Sequence, residues 1–249
     1  MSKQLTRRQI LAASACVTSA ITGTAVAVTG SAFAQQQDQR IPPLYRDRRV
    51  MPTFDNASFY DADGKFLEEK AKDAILALCA YHRYPIFPGL RDNLWVFDYG
   101  LGRYTELGLA CYMYANHVAG PSSYMLSNLY LLPNQMLPEH WHEVPDDKLC
   151  AQKDEGWAIH WGRSYVIGEG EPNLPPEVVV PQCHCNGTVT VSHCTVADPG
   201  VFVPLVKVGT RHWQFAGKEG VILSEVANCH DNAAVRHTDP VCNEAFLNS

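Results

Sequence analysis

The amino-acid sequence predicts an all-β protein, a barrel or sandwich with a short helical extension on its N-terminal side. Three observations carry this. After residue 90, short runs rich in Val, Tyr, Trp and Leu recur between Gly, Pro and Asn signals, at the length and spacing of strands. Seventeen Gly and 16 Pro in 249 residues call for many turns. One stretch alone, 65–84, carries a helical period. The 46% hydrophobic and 10% aromatic content excludes a disordered chain, and the Pro and Gly content excludes a coiled coil.

Residues 1–34 read as an export address. Leu5-Thr6-Arg7-Arg8-Gln9-Ile10-Leu11 precedes a moderately apolar run to Ala27-Val28, and Ala32-Phe33-Ala34 offers a small-x-small cleavage site with Gln35 as the first mature residue. The paired arginines resemble a bacterial twin-arginine signal, with Ile10 where Phe is usual and Ala12 where Lys is common. Thr, Ser and Gly dilute the run, which opposes a retained anchor. The expected location is periplasmic or secreted. The twin-arginine route exports folded proteins, many already loaded with a metal or cofactor.

The formal charge is −6; with Lys3, Arg7 and Arg8 set aside it becomes −9. So acidic a surface argues against nucleic acid or anionic lipid as a general partner. No stretch after residue 34 is apolar enough to span a bilayer, so no membrane contact is expected after cleavage. Losing Cys16 with the signal leaves Cys79, Cys111, Cys150, Cys183, Cys185, Cys194, Cys229 and Cys242. An even set in an oxidising compartment permits disulfides, whose pairing sequence does not reveal. Cys183-His184-Cys185 with Cys194 is a rival soft-metal cluster, but it lacks the C-x-x-C spacing of a zinc site.

Residues 35–90 form an N-terminal arm and helix. The polar, Pro-containing stretch 35–60 is expected to be extended. Leu67, Ala71, Ala74, Ile75, Leu78 and Cys79 recur at three- and four-residue spacing, which predicts an amphipathic helix over 65–84, stopped by Pro85. Residues 91–249 form the β-domain, with strands expected at 93–99, 107–115, 124–132, 136–142, 156–161, 163–168, 177–181, 188–196, 201–206, 212–215 and 221–227. Leu174-Pro175-Pro176 is a break inside this region rather than a linker, and no fixed short repeat is visible.

The chemistry starts at His140-Trp141-His142. On a strand, residues i and i+2 share a face, so both imidazoles can converge on one ion. Glu155 stands seven residues before Gly162, and His212 follows the turn at Gly209. His140, His142, Glu155 and His212 thus supply three neutral imidazoles and one carboxylate, with open positions left on Mn²⁺, Fe²⁺, Co²⁺ or Zn²⁺. Mn²⁺ is the favoured ion. Glu143, Asp146 and Asp147 are rival carboxylates.

These residues resemble the cupin superfamily, with its motifs G-x5-H-x-H-x3-4-E-x6-G and P-x-G-x2-H. His140, His142, Glu155, Gly162, Gly209 and His212 fall in order. Asn134 replaces the opening Gly, the His142–Glu155 gap is long, and Lys207 stands where the second motif has Pro. Glu155 is preferred because it is correctly spaced from Gly162. The resemblance implies a cupin-type jelly-roll barrel. A finer resemblance, over about 124–240, is to the D-lyxose isomerase branch of sugar-isomerase cupins. Its G-E-V segment is matched by Ser224-Glu225-Val226, its Asn-Asp part is echoed by Asn228 and Asp231, and Arg236 lies at the family arginine. His237 departs from the aromatic that usually follows.

This resemblance implies metal-dependent aldose–ketose isomerisation of a small sugar by proton transfer through an enediol. Glu225 is the implied base, and Lys153 and Arg236 are candidate acid or oxyanion partners; a surface ion pair is the plain alternative for each. Trp141, Trp157, Trp161, Trp213 and Phe215 lie near the ligands in sequence, where they stack on sugar or pack the core. His160 and His230 read as structural. A homodimer is one assembly open to the chain. Rival classes are an Fe²⁺-dependent dioxygenase or metal-assisted lyase, and a non-catalytic sugar- or metal-binding module.

Overall fold

The computed structural model describes residues 50–145 and 150–249. All lie in the second of the two units, 36–249, into which the chain divides. The expected signal at 1–34, the arm up to residue 49 and the carboxylates Asp146 and Asp147 lie outside the described residues.

One nine-stranded sheet curls on itself. Its strands are β1 (Trp95–Phe97), β2 (Leu109–His117), β3 (Tyr124–Leu131), β4 (Met136–His142), β5 (Glu155–Gly168), β6 (His193–Ala197), β7 (Phe202–Pro204), β8 (His212–Ala227) and β9 (Val235–His237). The α-helices among the described residues are α1 (Glu68–Tyr81) and α2 (Pro240–Leu247). β8 organises the barrel. One edge runs antiparallel to β5 along its whole length, while the other pairs first with β4 and then with β3. β2 and β1 extend the sheet beyond β3, β9 extends it beyond β4, and β6 and β7 pair with β5.

The runs 156–161 and 163–168 are one strand, β5, and 212–215 and 221–227 are one strand, β8. Gly162 looks like a break but is a bend within β5, at φ +75°, flanked by register shifts. A Cβ there would lie 2.0 Å from the Gly220 carbonyl oxygen, so the paired strands approach this closely only because position 162 is glycine. The strand expected at 177–181 does not form; 175–178 turns instead, with the Val178 amide donating to Pro175 O. Pro175, Pro176 and Pro181 lack the N–H groups that a ladder requires.

Side chains on β3 and β8 alternate between two cores. Leu129, Leu131, Val221 and Leu223 fill the barrel with Trp213 and Phe215. Tyr130 and Ile222 face the other way and pack under Ala74, Ile75 and Leu78 of α1. α1 ends earlier than Pro85 requires. Arg83 takes φ 56°, its amide donates to Ala80 O, and the Tyr84 amide donates to Cys79 O, closing the last turn. Cys150 and Cys229 form a disulfide joining the approach to β5 with the exit from β8. Cys183, Cys185 and Cys194 are free and belong to no metal-ligand group among the described residues.

Candidate metal centre and active site

The β4 and β8 edges bring the histidines together. His140 lies directly opposite His212 in the register, with ring centroids 4.2 Å apart, and His142 follows on the same face. Two backbone carbonyls fix the rings. Nδ1 of His140 donates to Pro138 O at 2.8 Å and Nδ1 of His212 donates to Thr210 O at 3.0 Å. A carbonyl oxygen only accepts, so Nδ1 carries the proton and Nε2 keeps a free lone pair. The turn behind His212 is held by Thr210, whose amide and hydroxyl both donate to Lys207 O, so Lys207 shapes a bend where the motif has Pro. Asn134 adopts φ 57°, a left-handed conformation open to Asn as well as Gly, which accounts for that departure too.

His140, His142 and His212 present ligand nitrogens within 4.8 Å of one another, all buried. Glu155 opens β5 and turns Oε1 to 3.0 Å from His142 Nε2 and 3.1 Å from His212 Nε2. His142 Nε2, His212 Nε2 and Glu155 Oε1 are buried without a hydrogen-bond partner. Unpaired buried polar atoms are costly; converging on one point, these form the donor set a divalent cation satisfies. Burial, then the neighbouring imidazoles, holds His140 well below the ordinary histidine range, and burial pushes His142 down to about 4 against the pull of Glu155. Both are neutral, as ligation requires.

Lys153 lies behind Glu155. Its ammonium is 2.9 Å from Glu155 Oε2 and also donates to Glu225 Oε1, and all three side chains are buried. Burial alone would lower this ammonium, but Glu155 and Glu225 outweigh it and hold it above the usual lysine range. Burial opposes ionisation of Glu155, yet Lys153 and then His142 and His212 keep its carboxyl well below the usual range. For Glu225, burial and the nearby Glu155 charge outweigh Lys153 and raise the carboxyl to about 7. Adjacent carboxylates are thus driven apart, one fixed as an anion and one poised to exchange a proton.

A cavity of about 270 Å³ opens on His140, His142, Lys153 and Glu225. Two residues read from sequence as minor or as a departure also line it. His230 sets Nδ1 3.4 Å from Lys153 Nζ, with Nε2 bonded to Asn232 Oδ1 at 2.7 Å. His237 pairs with His140 across β4 and β9, and its Nδ1 is buried without a partner. His160 instead bonds Ser224 Oγ at 2.7 Å, away from the cavity.

The structure does not bring Arg236 to this group. One residue before the inward-facing His237, it takes the opposite face of β9 and pairs with Glu143 at 3.0 Å. Glu143, a rival ligand by sequence, is therefore also turned away from the three histidines. Nor do the tryptophans expected near the ligands line the cavity. Trp157 and Trp213 are buried in the barrel core, Trp161 is exposed, and Trp141 carries the Arg211 guanidinium 4.4 Å above its ring. The aromatic rim is Trp95, Tyr99 and Phe246. The missed helix α2, which supplies Phe246, had a legible start: Asp239 caps it through the Val241 and Cys242 amides, with Pro240 in its first turn.

No family model matches the chain. It is 31% identical over 176 residues to a D-lyxose/D-mannose isomerase of Thermosediminibacter oceani, covering 71% of this chain and 91% of the relative. To the D-lyxose ketol-isomerase of Cohnella laeviribosi it is 30% identical over 171 residues, covering 69% and 90%. In fold it is similar to the L-ribose isomerase of Acinetobacter sp. DL28, with a TM-score of 0.59 at 13% identity over 78% of this chain and 98% of that one. The chain belongs to the D-lyxose isomerase family of sugar isomerases, built on a cupin-type β-barrel.

Proposed function

We propose that this isomerase interconverts a small aldose and its ketose in the barrel cavity, with Glu225 as the proton carrier. The observation that carries the reading is the buried chain Glu155–Lys153–Glu225, which joins the histidine cluster to a carboxyl of raised pKa. The donor set of His140, His142, Glu155 and His212 suits a divalent ion, Mn²⁺ in this reading, whose contribution when bound is Lewis-acid polarisation of the sugar's C1 and C2 oxygens.

The remaining work falls to the chain. Ionised Glu225 takes the proton from C2 of the open-chain aldose and returns it to C1, while the hydroxyl proton moves from O2 to O1. One C–H bond breaks, one forms, and no redox partner is needed. Lys153 holds Glu225 in place and sets a positive charge beside the developing oxyanion. The sugars named for the relatives, D-lyxose, D-mannose and L-ribose, are the first to try.

The test is NMR of the purified protein with these sugars in D₂O, with and without a chelator. Ketose should form with deuterium at C1, to the extent that the carried proton exchanges, and the chelator should stop it. Sugar binding without exchange would favour a binding module, and oxygen consumption with Fe²⁺ would favour a dioxygenase.

Export through the twin-arginine route, to the periplasm or medium, is part of the same proposal. The Arg7-Arg8 pair and the Cys150–Cys229 disulfide support it. Cells carrying Arg7→Lys with Arg8→Lys should accumulate uncleaved cytoplasmic precursor; normal export of that variant would remove the reading.

A further inference from the structure

The turn after β1 holds one residue in a conformation that its type disfavours. Tyr99 takes φ 56°, in the left-handed region, where glycine or asparagine fits and a bulky side chain is strained. Asp98 fixes this turn: its carboxylate accepts from the Gly100 amide and from the Tyr60 hydroxyl, each at 3.0 Å. The Tyr99 ring is thereby turned inward. It is 1% exposed and lines the same cavity as His140, Lys153 and Glu225. Phe97, His237 and Phe246 pack around it, with ring centroids 4.9, 5.2 and 6.2 Å away. So packed, the ring holds its hydroxyl in one place.

That hydroxyl is what a glycine or asparagine in the turn would not supply. A buried tyrosine hydroxyl normally finds a hydrogen-bond partner. Among the described residues the Tyr99 hydroxyl has none, and unlike the Tyr104 hydroxyl it is not sealed in the core without one. Burial, then Cys242, Cys111 and Glu225, hold the phenol well above the ordinary tyrosine range, so it keeps its proton and donates. C1 and C2 of the sugar belong beside the histidines and Glu225, which leaves the hydroxyls further along the chain for Tyr99. We propose that Tyr99 is a substrate-binding residue whose hydroxyl donates to a sugar hydroxyl beyond C2 and so aligns the open chain with Glu225 for proton transfer. This rests on the isomerase reading of the same cavity.

The test is Tyr99→Phe, which keeps the ring and its packing and removes only the hydroxyl. Turnover of D-lyxose and of its analogues deoxygenated at C3, C4 or C5 is read as kcat/KM, and calorimetry follows binding of the corresponding non-reacting alditols to the metal-loaded protein. Metal content and melting temperature should stay at their wild-type values. For D-lyxose and its alditol the variant should lose about 10- to 100-fold in both measurements. With one of the deoxy analogues the wild type should already show that loss, and Tyr99→Phe should add nothing to it. Equal further losses on every analogue would mark a merely structural role and overturn the assignment. Turnover and alditol binding kept in full by Tyr99→Phe would overturn it too and leave the isomerase standing. Alditol binding that follows the expected pattern, without turnover of any sugar by the wild type, would uphold the contact and remove the isomerase reading.

Discussion

Replacing Lys153 with Met keeps the length of the side chain but removes the one charge shared by two buried carboxylates. The Lys153, Glu155 and Glu225 side chains are 6%, 2% and 8% exposed, so water screens the pair poorly. Removing one partner from a buried ion pair typically costs about 3–5 kcal/mol, and two glutamates lose their partner here. The folded variant has one relief route, a proton on Glu225, whose carboxyl is already raised. Because the folded chain then holds that proton more tightly than the unfolded chain, stability must fall as pH rises through the window. In urea unfolding with chelator present, Lys153→Met should lose about 3–5 kcal/mol at pH 8 and distinctly less at pH 5.5. A divalent ion supplies countercharge at Glu155, so added metal should recover part of the loss. Where the variant retains activity, the acid limb of its pH profile should move to higher pH, because Lys153 is what lowers the Glu225 carboxyl. A variant within 1 kcal/mol of wild type at pH 8 without metal would refute the argument that this ammonium holds the carboxylates together.

Two further outcomes follow from the ligand set and the crosslink. His140→Ala, His142→Ala or His212→Ala should each strip most of the metal measured by elemental analysis, and Glu155→Gln should weaken it, whereas Glu143→Gln should leave it intact because Glu143 faces Arg236. Reducing Cys150–Cys229, which spans a sequence separation of 79 residues, should lower stability by about 2–4 kcal/mol in denaturant titrations; an unchanged midpoint would contradict a stabilising role for the crosslink.

The parts of the fold and site that were legible in the sequence are those that short-range rules govern. His140 and His142 show themselves because strand alternation puts them on one face, and Glu155 because seven residues separate it from the glycine at which β5 must bend. His212 follows from the turn at Gly209. The rest depends on contacts between distant segments. Gly162 and Gly220 looked like breaks between strands because their purpose, the close approach of the paired strands β5 and β8, exists only once the sheet has curled. Lys153 was a candidate through the resemblance alone, with a surface ion pair as its plain alternative, because its two partners, Glu155 and Glu225, lie on different strands. Arg236 and His237 differ by one step of β-alternation, and β9, at three residues, is too short to show its parity in advance. The long His142–Glu155 gap obscured the motif, but it falls between the end of β4 at His142 and the start of β5 at Glu155, so both ligands keep their places on the strands.

The most direct test of the central claim is Glu225→Gln. Glu225 touches Lys153 rather than the histidine nitrogens, so the variant should keep its metal and bind sugar nearly as the wild type does. Without a base, its kcat should fall about 10²–10⁴-fold with little change in KM. Deuterium exchange at the sugar carbon should fall in step. Undiminished turnover in a folded, metal-loaded Glu225→Gln protein would contradict the account.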